Sequence, residues 1–159
     1  MNKLIVKKAA VLGAGVMGAQ IAAHLANANV PVVLFDLPAK EGDPSGIASK
    51  AIANLAKLSP APLATKARGA EIVAANYDQH LELLRGCDLV IEAIAERMDW
   101  KHDLYRKIVP HLAPHAILAS NTSGLPIQDL ARGLPDALHA RFCGVHFFNP
   151  PRYMHLAEL

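Results

Sequence analysis

The chain has 159 residues, 52% hydrophobic and 19% charged, with 16 Lys and Arg against 14 Asp and Glu. That length fits one domain over residues 1–159, with a core large enough to need neither disulfides nor a metal, and the apolar share excludes a disordered chain. A net charge of +2, with no basic run beyond Lys3, Lys7 and Lys8, argues against nucleic acid or a membrane surface as partner.

In chain order, residues 8–12 read as a short apolar strand. Residues 16–28 read as a helix with Met17, Ile21, Leu25 and Ala28 on one face. A second strand is expected over 32–36, between Pro31 and Pro38. Residues 44–58 form a second predicted helix, closed by a turn through Pro60 and Pro62. A strand over 70–74, a short helix over 77–85 and a buried strand over 88–93 follow. Residues 100–109 read as a helix that stops before Pro110. Further strands are expected over 116–120 and 142–146. Residues 154–159 alternate like a strand at the chain's end, which predicts a piece of a longer protein. Apolar strands alternating with helices predict an α/β fold: a doubly wound, mostly parallel sheet of the Rossmann type.

Residues 9–35 carry no Lys, Arg, Asp or Glu, which is span length for a bilayer. The glycines, asparagines and proline within them favour a buried strand–helix–strand unit instead, so no membrane is expected. The opening residues lack the uninterrupted apolar core and cleavage site of a signal peptide. Cys87 and Cys143 are too few for a disulfide framework or a zinc ribbon. The expected compartment is the cytoplasm, and no metal is expected.

Gly13-Ala14-Gly15-Val16-Met17-Gly18 is a G-x-G-x-x-G turn between the first strand and the first helix. Asp36 ends the next strand. These are the conditions of a dinucleotide fingerprint. Gly13 allows the tight turn, Gly15 lets a pyrophosphate approach, and Gly18 lets helix and strand pack closely. The helix start at Val16 and Met17 offers free amides to phosphate. Asp36 can accept the ribose hydroxyls and repels a 2′-phosphate, which favours NAD over NADP. A turn that only packs a helix on a sheet is the alternative.

Ala93 and Glu96 sit at the carboxyl end of a strand, where ligands of open parallel sheets bind. By spacing alone, Glu96 and Lys101 read better as solvated surface charges than as ligand contacts. Ser123 follows a strand in a small polar turn. His146 ends another strand, and a turn through Asn149, Pro150 and Pro151 can bring Glu158 to it. Such a carboxylate fixes the ring's tautomer and leaves the other nitrogen free to take a proton. Ser123, His146 and Glu158 also have the residue types of a hydrolase triad. No G-x-S-x-G elbow surrounds the serine, however, and the glycine turn would then have no use.

The segments GAGVMGAQIA, VIEAIAE, LASNTSGLPI and GVHFFNPP, with Glu158 after them, resemble the NAD-binding domain of the L-3-hydroxyacyl-CoA dehydrogenase family over residues 7–159. The run HFFNPPRYM is most similar to the large multifunctional members, which also carry an enoyl-CoA hydratase part. The resemblance implies oxidation of a 3-hydroxyacyl-CoA to the 3-ketoacyl-CoA in fatty-acid β-oxidation, with NAD as cofactor. It implies that His146 is the general base, that Glu158 orients it, and that Ser123 bonds the substrate oxygen and touches the nicotinamide. Asn149 would stand beside substrate and cofactor. Ala93, Glu96 and Lys101 would line the nicotinamide side. The family's helical C-terminal domain, which completes the acyl pocket and mediates dimerisation, is expected to be absent from this chain. The segment near Gly133 is slightly longer than the family pattern. Two alternatives stay open: another NAD-dependent 3-hydroxyacid dehydrogenase, whose base would be a lysine, and a non-catalytic NAD-binding protein.

Overall fold

The computed structural model describes residues 5–159, so Lys3 of the basic opening lies outside the described residues. Six strands form one parallel sheet: β1 (Ala9–Leu12), β2 (Val32–Asp36), β3 (Ile72–Asn76), β4 (Leu89–Glu92), β5 (Ile117–Ser120) and β6 (Phe142–Gly144). Their order across the sheet is β3-β2-β1-β4-β5-β6. The order reverses between β1 and β4, and that switch point is where such sheets bind dinucleotides.

Both faces of the sheet are covered. Val11, Leu34 and Ile91 pack with α1 (Val16–Asn27) and α2 (Gly46–Leu55). The alternate residues Leu12, Phe35 and Val90 pack with α3 (Met98–Ile108), α4 (Ile127–Ala131) and α5 (Asp136–His139). Burial on both faces is why β1, β2 and β4 read as unbroken apolar runs. Among the described residues no helix is long and apolar enough to cross a membrane.

Several elements differ from the sequence expectation. The helix expected over 77–85 is absent. The Asn76 side chain accepts the Asp78 and Gln79 amides at 3.1 and 3.0 Å, which removes them from a helical ladder. A 3-10 turn, Leu81–Gly86, follows instead. β3 lies two residues later than the expected 70–74, because pairing with β2 sets its register from Val32 opposite Ile72 to Asp36 opposite Asn76. α3 starts before Trp100, and α2 is shorter than 44–58 at both ends.

The largest difference concerns His146. β6 ends at Gly144, and the Val145 amide makes the last bond to β5 at the Ser120 carbonyl. The Phe147 amide then donates to the Asn121 side chain at 2.9 Å. The chain bends out of the parallel sheet there, and β7 (His146–Phe147) pairs antiparallel with β8 (Ala157–Glu158). The strand expected over 154–159 contracts to β8.

Candidate active site

The glycine turn leaves β1 and enters α1. Gly13 has φ +103, which favours glycine, and a Cβ there would stand 2.8 Å from the Ala93 carbonyl oxygen. Gly18 lies against the turn itself: a Cβ would stand 1.8 Å from the Gly13 carbonyl oxygen. Gly15 is different, since a Cβ there would meet nothing within 4 Å. The gap above Gly15 is open, and no side chain caps the first turn of α1. Uncapped amides facing open space, at Val16 and Met17, make an anion seat.

Asp36 ties this turn to β2. One carboxylate oxygen accepts the Ala14 amide at 2.6 Å, the other its neighbour Leu37 at 2.7 Å. Each oxygen keeps a lone pair for a further donor. Gly13, Asp36, Tyr77, Ile94 and Lys107 line a cleft of about 520 Å³ beside the turn. The Tyr77 hydroxyl is buried in its wall without a hydrogen-bond partner, near the Gly13 amide, whose hydrogen bond goes to the Phe35 carbonyl. A buried, unpaired hydroxyl in a cleft wall suits a polar ligand. Lys107 is held by Asp78 at 2.8 Å.

Further along the same carboxyl edge, beyond β5, three side chains form a line. Ser123 Oγ lies 3.1 Å from His146 Nε2, and His146 Nδ1 lies 3.0 Å from Glu158 Oε2. An ionised carboxylate only accepts, so Nδ1 carries the proton. Nε2 then presents its lone pair to the Ser123 hydroxyl. The Phe148 ring packs on the imidazole with centroids 4.8 Å apart. Thr122, Ser123, Gly144, His146 and Glu158 border a recess of about 310 Å³.

Glu96 holds the serine turn. Its Oε1 accepts the Thr122 hydroxyl and the Ser123 and Gly124 amides, the two amides at 2.9 Å. Burial pushes the Glu96 carboxyl up, but these three donors and the Lys101 charge outweigh it and leave it below its ordinary value. A carboxyl lowered on folding adds stability above its ordinary range and loses it as pH falls through its folded value. Glu96→Gln is therefore expected to flatten the loss of thermal stability below the ordinary glutamate value of 4.5. Thermal unfolding followed against pH measures this, and equal acid slopes in the two proteins contradict it.

Lys101 is not an exposed lysine. It is 1% exposed and meets Glu92 Oε1 at 2.5 Å and Glu96 Oε2 at 3.6 Å. Glu92, at the end of β4, also accepts the Ile94 amide and the Tyr105 and Ser120 hydroxyls. Asn149 Oδ1 accepts Gln20 Nε2 from α1 at 3.3 Å. Sequence reasoning assigned no role to Gln20 or Tyr77, and read Glu92 only as one of the acidic groups at a strand's carboxyl end that can line the nicotinamide ribose. For Glu92 a signal was present, since a carboxylate ending a strand buried on both faces requires partners.

The family profile described as "3-hydroxyacyl-CoA dehydrogenase, NAD binding domain" matches residues 8–159. The chain belongs to this family. NAD is the family's cofactor, and the open glycine turn, Asp36 and the orphaned Tyr77 hydroxyl fit it. A "putative fatty acid oxidation complex trifunctional enzyme" of Rickettsia felis is 50% identical over 97% of the chain, which spans 22% of that protein. A "probable 3-hydroxyacyl-CoA dehydrogenase" of Deinococcus radiodurans is 45% identical over 97% of the chain and 45% of its own length. Among solved structures, a 3-hydroxybutyryl-CoA dehydrogenase from Escherichia coli superposes with TM-score 0.77 at 30% identity, covering 97% of this domain and 32% of that chain. The NAD-binding domain thus spans less than half the length of these relatives.

Proposed function

We propose that this domain is the cofactor half of an L-3-hydroxyacyl-CoA dehydrogenase of fatty-acid β-oxidation. The observation that carries this reading is the Ser123–His146–Glu158 line on the same sheet edge as the glycine turn. Bound NAD supplies the hydride acceptor for the carbon that bears the hydroxyl. His146 Nε2 takes the hydroxyl proton as the C=O bond forms, and Glu158 stabilises the resulting imidazolium. Ser123 donates to the substrate oxygen once its hydroxyl turns from His146. Asn149, held by Gln20, stands at the border of substrate and cofactor. Glu96 fixes the Ser123 turn, with Lys101 behind it, and Ala93 floors the glycine turn. The histidine line disfavours a lysine-based 3-hydroxyacid dehydrogenase, and it gives a non-catalytic protein no use for three aligned side chains.

The acyl-CoA is the proposed substrate class. A helical C-terminal domain, outside this chain, is proposed to complete the acyl pocket and to make the dimer. The two cysteines are free thiols, which suits a reducing compartment, and the cytoplasm is the location we propose. Asp36 is the proposed ribose reader, because its carboxylate accepts hydroxyls and repels a phosphate. Asp36→Ala is expected to weaken NADH binding by about tenfold, the worth of one hydrogen bond to a charged group. The preference over NADPH should narrow with it. Calorimetric titration with both nucleotides checks this, and an unchanged preference would remove Asp36 from that role.

A further inference from the structure

The Glu92 carboxylate is fully buried, yet it lies in no direct line with Ser123 or His146. A buried ion pair is weak evidence for stability, because apolar residues of similar size often serve a core as well. The bonds of Glu92 are therefore informative. Oε1 holds the Lys101 ammonium, and Oε2 holds the Ser120 and Tyr105 hydroxyls. Ser120 Oγ in turn receives the Thr122 amide at 3.3 Å. Lys101, held from below, faces Glu96 Oε2 at 3.6 Å. Glu96 Oε1 then fixes the Ser123 and Gly124 amides, and Ser123 reaches His146. Glu92 thus grips the serine turn twice, through Ser120 at its start and through Lys101 and Glu96 at its middle.

We infer that Glu92 is a positioning residue: it sets the Ser123 turn against His146 through the Lys101–Glu96 pair and Ser120. Its carboxylate is fully buried and bonds only to neighbouring protein groups. The inference rests on the proposed roles of Ser123 and His146 only for its effect on turnover. Its effect on the turn is independent of them.

The test is the pair Glu92→Gln with Lys101→Met in the complete polypeptide. The glutamine retains an acceptor for Ile94 and offers a donor to the two hydroxyls, no buried charge is left unpaired, and the Glu96 carboxylate, which loses its ammonium partner, is 43% exposed to water. Amide hydrogen exchange at Ser123 and Gly124 is the first readout. Thermal unfolding, kcat and the KM for NADH are the others. The expected result is at least tenfold faster exchange at both amides and a kcat about tenfold lower. The KM for NADH stays within threefold in Glu92→Asp, where Lys101 is retained, and the melting temperature of the double variant is nearly unchanged. If both amides keep their protection in a folded variant, the inference is overturned and the pair is only part of the core. Should the double variant not fold, Glu92→Asp, which keeps the charge but withdraws the carboxylate from Lys101, carries the same comparison. If the parent protein shows no turnover, the functional reading fails while the two amides still decide the role of Glu92.

Discussion

His146→Gln is expected to lower kcat of the complete polypeptide by roughly 10³-fold, within the usual worth of a positioned acid or base. NADH affinity should stay within threefold. Glutamine fills a similar volume and can still bond Glu158, but it has no lone pair basic enough to take a proton near neutral pH. The residues proposed for the adenosine and phosphate end lie on β1, β2 and the start of α1. His146 lies on β7, beyond β5 and β6. Turnover and cofactor binding should therefore separate in this variant. Steady-state rates and an NADH fluorescence titration measure the two. Undiminished turnover would mean that the proton leaves by another group and that His146 is not the base.

Gly18→Ala and Gly15→Ala should differ sharply although they stand three positions apart. A Cβ at Gly18 would overlap the Gly13 carbonyl at 1.8 Å, which is backbone and cannot swing away. Relieving it requires α1 to move off the turn, at a cost of more than about 3 kcal/mol. In a domain of this size that lowers the melting temperature by at least about 6 °C. A Cβ at Gly15 meets nothing within 4 Å. That variant should melt within a few degrees of the parent, since the poorer alanine cap costs about 1 kcal/mol, roughly 2–4 °C in a domain of this size. Its Cβ would occupy the space left for the pyrophosphate, so NADH binding should fall at least tenfold. Thermal unfolding and titration of both variants make the comparison. If Gly15→Ala bound NADH normally, the turn would not be the phosphate seat.

Much of this arrangement was legible in the sequence because local rules governed it. β1, β2 and β4 are covered on both faces, so their apolar runs are continuous. The glycine turn is legible because steric need selects glycine at Gly13 and Gly18. The meeting of His146 with Glu158 followed from a short turn between them. The route was misjudged, because His146 leaves the parallel sheet when Asn121 takes the Phe147 amide. Spacing alone does not reveal such long-range captures. The same holds for Gln20, which reaches Asn149 across 129 residues. The capture by Asn76 is local: its side chain takes the amides two and three residues on and displaces the helix expected over 77–85. Lys101 was equally opaque. Its neighbours in sequence suggest an exposed helix face, and only the fold brings Glu92 beneath it.

The most direct test is reduction of acetoacetyl-CoA by the complete polypeptide, followed as loss of NADH absorbance, with NADH binding measured on the same preparation. The account predicts binding of NADH and its steady consumption only when the 3-ketoacyl-CoA is present, with the rate lost in His146→Gln. A folded protein that binds NADH but does not consume it with this substrate would contradict the account.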